Sequence, residues 1–116
     1  MKFTIRGRLD GLNEYTAANR QNRYAGAAMK KKNQQAVAFA LMGHNERYDR
    51  PVQLRCVWYE PNKRRDIDNV AFAKKFILDA LVEHGTIKGD GWEYVAGFTD
   101  EFHVDKENPR VEVELQ

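Results

Sequence analysis

An α/β or α+β fold, with two helices packed on a small mixed β-sheet in the order β-α-β-α-β-β, is what this sequence predicts. Three observations predict it. Apolar–polar alternation marks short stretches near the start, in the middle and at the end; helix-forming or amphipathic stretches stand between them; turn formers punctuate the junctions. At 116 residues the chain is expected to be a single domain, 1–116, with enough sequence for a two-layer core. Its 42% hydrophobic and 11% aromatic content is that of a globular chain rather than a disordered one.

The elements follow in order. "FTIRGRL", Phe3 to Leu9, alternates at its start and reads as an edge or half-buried strand. "DGLNEYTAANRQN" opens with turn formers. From about Tyr15 or Asn19 to Met42 the chain is rich in Ala, Lys and Gln and reads as a helix, with Gly26 as a candidate interruption and "GHN" at Gly43 as its end. "PVQLRCVWYE", Pro51 to Glu60, is the strongest strand, with Leu54, Cys56 and Trp58 on one face, and Pro61 and Asn62 close it. A second helix is predicted over Asp68 to His84, with Asp68 as N-cap, an apolar set including Val70, Phe76, Ile77 and Leu81, and Gly85 as the stop. "YVAGFTDEFHV", Tyr94 to Val104, and "PRVEVELQ", Pro109 to Gln116, read as an antiparallel hairpin around "DKEN".

Composition excludes several classes. Lys+Arg is 19 against Asp+Glu 17, a net charge of +2, so the distribution of charge rather than its total must point to an anionic partner. Cys56 is alone, so no internal disulfide can form, and its apolar setting makes it a small core residue of a reducing compartment. No stretch is apolar for long enough to span a bilayer, and "MKFTIRG" lacks the apolar core of a signal peptide; the expected setting is cytoplasmic, with no membrane partner. No GxGxxG, GxSxG, HExxH or paired CxxC occurs, against nucleotide-cofactor, serine-hydrolase and zinc chemistry. His44, His84 and His103 have no metal-ligand spacing and read as caps or surface residues.

The stretch that carries chemistry is "KRRDIDN", Lys63 to Asn69. Asp66 and Asp68, two residues apart between strand and helix, can face one point if the segment is extended. Asp90, in "KGDGW", returns to that point only if the tertiary fold brings it there. Converging carboxylates repel one another, and a divalent cation removes the conflict. Mg²⁺ suits so sparse a cluster, because it keeps several waters and is held by one or two carboxylates with a substrate phosphate. Lys63, Arg64 and Arg65 would then contact the phosphate backbone. At about 100° per residue, Lys75 and Asp79 fall within roughly 20° of Asp68 on the predicted helix, which favours Lys75 over Lys74 as the cation beside the acids. Arg20, Arg23, Lys30, Lys31 and Gln34 would share one side of the first helix as a basic stripe. Each feature has a plainer reading. Asp68 is a helix cap, Asp66 an exposed ion-pair partner, Lys75 and Asp79 an ordinary i,i+4 pair, Asp90 a turn aspartate, and the stripe a solvated face.

The run "RRDIDNVAFAKKFILDALVEHGTIKGDGW", Arg64 to Trp92, resembles the core motif of the RusA family of Holliday junction resolvases, an Asp-x-Asp-Asn followed by a Lys, a Leu-Asp-Ala-Leu helix and a further Asp. The strand before it and "TIRGRLDGLNEYTAANR" also resemble that family. The resemblance implies a RusA-like fold and a Mg²⁺-dependent endonuclease, with Mn²⁺ as a substitute metal, that acts on four-way DNA junctions as a homodimer. It implies Asp66, Asp68 and Asp90 as metal-binding catalytic acids, Asn69 as their support and a Lys at 74 or 75 beside them; Lys75 keeps the family's distance to Leu-Asp-Ala-Leu. Two departures stand out: Gly89-Asp90 where many members have two aspartates, and a longer gap between Asn69 and the Lys. Nucleases for flaps or forks, and a non-catalytic module that binds branched DNA, are the competing classes.

Overall fold

Four strands, β1 (Lys2–Arg6), β4 (Arg110–Leu115), β2 (Val52–Glu60) and β3 (Val95–Val104), form one mixed sheet in that spatial order in the computed structural model, which describes residues 1–116. β4 pairs antiparallel with both β1 and β2, and β3 lies parallel to β2. The period-two pattern decides which face is covered. Phe3 and Ile5, Leu54, Cys56 and Trp58, and Val111, Val113 and Leu115 are buried in one cluster with Val37, Phe76, Ile77 and Leu81 from the helices. The opposite face carries ion pairs such as Lys2 with Glu114 at 3.5 Å and Arg55 with Glu101 at 2.7 Å. The fold is therefore the mixed α+β arrangement predicted. No helix is long and apolar enough to cross a membrane.

Each predicted helix is divided in two. The first becomes α1 (Leu12–Gln21) and α2 (Arg23–Ala40), and the break falls at Asn22, not at Gly26. Asn22 is fully extended and its side chain accepts from the Ala25 N–H at 2.8 Å, so one residue ends α1 and caps α2. Gly26 is instead a buried packing position, where a Cβ would strike the Asn19 side chain. The second helix becomes α3 (Ile67–Ala71) and α4 (Lys74–His84). Its N-cap is Asp66 rather than Asp68, and Asp68 lies inside the first turn. At the turn between them, Phe72 stacks on Tyr15 with centroids 5.6 Å apart, and Phe76 meets both rings edge-on.

The expected hairpin is not formed. β2 lies between β3 and β4, so the two last strands are not neighbours. Strands spaced about 4.8 Å apart need only about 10 Å to skip one neighbour, well within reach of the five residues from Asp105 to Pro109. β4 alternates because one of its faces lies on the core and the other carries the ion-pairing glutamates. β3 is an edge strand and leaves Phe98 and Val104 about half exposed.

Gly85 ends α4 at φ +84°, where its N–H bonds the Leu81 and Val82 carbonyls. A side chain there is strained, so Gly85→Ala should lower stability by about 1–2 kcal/mol, read as a lower urea midpoint with unchanged slope.

Candidate active site

At the end of β2 the chain turns through Pro61 to Arg65 into α3, and this turn forms one wall of a cavity of about 830 Å³. Asp66 and Asp68 both line it, with Glu60 and Lys63, and Val70 and Phe102 supply apolar surface. The segment is not extended as the sequence implied: Asp66 has β geometry, whereas Asp68 is helical. Both carboxylates nevertheless border the same space. Both are exposed, and neither has a hydrogen-bond or ion-pair partner in the protein, unlike the neighbouring Glu60, which binds Arg8 and Arg65.

The turn is held by Arg65, whose guanidinium meets both oxygens of Glu60 at 2.9 and 3.0 Å, Glu14 of α1 at 2.9 Å and the Leu9 carbonyl at 3.0 Å. Only 14% of its side chain is exposed. It is thus a structural tie and is not free to contact phosphate. Lys63 and Arg64 are exposed and their side chains are uncommitted. Asn69 is buried, and its Oδ1 accepts the Asn13 N–H of α1 at 2.8 Å. It packs so closely on Gly11 that a Cβ there would lie 2.5 Å from Oδ1. Asn69 therefore supports the acids by fixing α3 against α1.

The other predicted residues form a second group along α4. Asp79 accepts from Lys75 at 3.1 Å and, through its other oxygen, from Gln34 at 3.3 Å, with Lys30 3.6 Å away. Lys75 also lies 3.6 Å from Asp90. The hydrogen bond to Asp79, then its charge and that of Asp90, hold the Lys75 pKa above its ordinary value, so it stays a cation at neutral pH. Lys74 points the other way. Its ammonium binds Asp100 at 2.6 Å and lies over the Phe98 ring, while the Trp58 indole donates to the same Asp100. Beneath them burial, reinforced by Asp100, pushes the Cys56 thiol up to about 12, as a core cysteine requires. No three His, Cys, Asp or Glu side chains stand together closely enough to hold a metal, and the carboxylate of Asp90 faces Lys75.

The residues of the basic stripe are divided between two helices. The break at Asn22 puts Arg20 on a different helix from Arg23, Lys30 and Lys31, and Lys30 with Gln34 turns toward Asp79 of α4. Arg23 lies against the Tyr24 ring, and Lys31 is exposed. The residues missed from sequence are the anchors: Glu14 and Glu60 for Arg65, Asp100 and Trp58 for Lys74, and Asn33, which bonds the Asp10 backbone and side chain at 2.9 and 2.8 Å. Only Glu14 left a signal, as an acidic residue in the first turn of a helix, where its carboxylate accepts the Gly11 N–H at 3.4 Å.

Nearly the whole chain matches a DNA-cleaving enzyme family. The family model described as Endodeoxyribonuclease RusA matches residues 12–116, all of the fold except β1 and the loop after it. The chain belongs to this endodeoxyribonuclease family. None of the curated proteins matches it.

Arg65→Ala should cost about 2 kcal/mol of stability by urea unfolding, because it leaves Glu14 without its cation and Glu60 with Arg8 alone, whereas Arg64→Ala should change stability by less than about 0.5 kcal/mol. The pH dependence has a definite sign. Burial raises the Glu14 pKa, but hydrogen bonds from Arg65 and the backbone outweigh it and hold the group below its ordinary 4.5. A depressed carboxylate stabilises the fold above its unfolded pKa and loses that contribution as pH falls through the folded one. Unfolding followed from pH 6 down to pH 3 should therefore show an acid loss of stability that is smaller in Glu14→Gln.

Proposed function

We propose that the protein is a Mg²⁺-dependent endonuclease that resolves four-way DNA junctions. The observation that carries the reading is the pair Asp66 and Asp68, two unpartnered carboxylates on one cavity wall in a chain of a DNA-cleaving family. Their donor set fits the metal: hard, anionic oxygens without protein hydrogen bonds, too few to enclose an ion, as expected where water and substrate phosphate complete the shell. Asp66 and Asp68 would hold the ion, which when bound supplies Lewis acidity and lowers the pKa of water. The protein's own groups do the rest. Arg65 and Asn69 keep the acids in place, and Lys63 and Arg64, at the cavity and just beside it, offer cations to the phosphates on either side of the scissile bond. Lys75, held charged by Asp79, stabilises negative charge with Asp90 at its side.

A junction is cut in two strands of like polarity, which a two-fold pair of active sites accomplishes, so the working unit is a homodimer of single-domain chains acting in the cytoplasm. Recognition rests on branched shape and backbone rather than on base edges.

Cleavage of a synthetic four-way junction, a flap, a fork and a linear duplex, each with and without Mg²⁺, tests the reading. The junction should be cut fastest, and only with Mg²⁺ or Mn²⁺; Ca²⁺ should permit binding with little turnover. Preference for flaps or forks would change the substrate, and full activity in EDTA would remove the mechanism. Asp68→Asn and Asp66→Asn should each lower the cleavage rate by at least about a hundredfold while junction affinity stays the same or rises. Cutting by Asp68→Asn at the native rate would sink the assignment. Arg64→Ala should weaken binding to every junction sequence alike and reduce the slope of log K against log salt by about one.

A further inference from the structure

Trp92 is 98% exposed, the most exposed large apolar side chain of the fold. Tryptophan is highly buried on average, and nothing within the chain explains its display. The turn that carries it is braced. The Tyr94 and Val95 N–H groups both bond the Gly91 carbonyl at 3.0 Å, and Gly89 packs against the Tyr94 ring so closely that a Cβ would lie 3.1 Å from it. The indole is therefore held outward by a fixed turn rather than left on a loose tail. Two residues before it, Asp90 is engaged by Lys75 on α4. Its neighbours in the turn include Lys88, Asp90 and Glu93, and at 98% exposure the indole is not in the well-packed, desolvated pocket in which a protein–protein hot spot sits.

We infer that Trp92 is a stacking site for a nucleobase of branched DNA, engaged where base pairs at the branch point have lost a stacking neighbour. The inference rests on the DNA-junction reading above and adds to it a contact that distinguishes a branch from continuous duplex. An aromatic face takes any base, so the contact reads the availability of an unstacked base and not its identity. Within linear duplex each base is already stacked on both sides, and Trp92 gains nothing there. Phosphate contacts at Lys63 and Arg64 supply affinity for any DNA; the indole adds preference for the branch.

The chain has two tryptophans, and they report separately. Trp58 is buried and hydrogen-bonded to Asp100, whereas Trp92 is in water. In an Asp68→Asn background, which prevents cutting, intrinsic fluorescence is followed as a four-way junction or a linear duplex is added, with binding measured independently by anisotropy of labelled DNA. The junction should quench the Trp92 emission and the duplex should leave it largely unchanged. Trp92→Ala should weaken junction binding by about tenfold, leave duplex binding and the salt slope unchanged, and be largely rescued by Trp92→Phe. Junction binding with unchanged Trp92 emission and an unaffected Trp92→Ala variant would overturn this inference alone. So would a Trp92 emission that shifts to the blue with protein concentration before DNA is added, since a second copy would then cover the indole. Failure of the anisotropy assay to detect junction binding would overturn the functional reading, and this inference with it.

Discussion

The Arg65 guanidinium joins the end of β2, the start of α1 and the loop before it, and the two aspartates that follow are placed by that junction. Its fork geometry suits this role, because two parallel bonds to Glu60 fix its plane and the remaining donors reach Glu14 and the Leu9 carbonyl. A lysine could neutralise the same carboxylates but could not fix the direction in which the chain leaves the strand. Asn69 completes the hold from the other side through the Asn13 N–H. Between these two anchors, Asp66 and Asp68 can remain exposed and without partners and still be positioned, because the backbone beneath them is fixed. The cations of "KRRDIDN" thus divide their work: Arg65 builds the turn, and Lys63 and Arg64 remain available to a ligand.

How much of this was legible in the sequence depended on whether the controlling interaction was local. The strands and the stop at Gly85 follow from alternation and from a left-handed residue, both written in neighbouring positions. The break at Asn22 is also local, and an Asn that caps a following helix was a usable signal. Gly26 was the more obvious interruption, but its role proved to be close packing against Asn19. The hairpin expectation failed for a non-local reason. Two alternating segments with a short polar link resemble a hairpin, yet β2 offers β4 a full antiparallel register and leaves β3 to pair in parallel on its other edge. The helical connection between β2 and β3 is the kind that parallel neighbours require, and the sequence contained that hint.

The arrangement of the candidate site was legible only where it is local. Asp66 and Asp68 border one cavity, as their spacing implied, although through a cap and a first helical turn rather than an extended strand. Helix phase favoured Lys75 over Lys74 as the cation beside Asp68; in the structure Lys75 lies beside Asp79 and Asp90, and Lys74 is held by Asp100 of β3. The phase argument assumed an unbroken helix, which the turn at Phe72 and Ala73 interrupts. The partition between the two lysines is set instead by which carboxylate each can reach. Whether Asp90 meets the other two acids is a matter of tertiary placement that no local pattern encodes.

Charge counted along the chain overstates what is available to a polyanion. Of the seven cations singled out at the start, Arg65 and Lys30 are held by carboxylates of the protein itself, and Arg23 rests on an aromatic ring. Arg20, Lys31, Lys63 and Arg64 remain, on separate elements rather than one stripe. Each phosphate neutralised contributes a similar increment irrespective of sequence, so a few dispersed cations give modest affinity that falls readily with salt. A protein so built cannot select branched DNA by charge alone, since linear duplex offers the same phosphates at higher regularity. On the function proposed above, selection comes from contacts that only a branch can satisfy, and an aromatic ring held in water at a braced turn is the one such contact that a single chain offers.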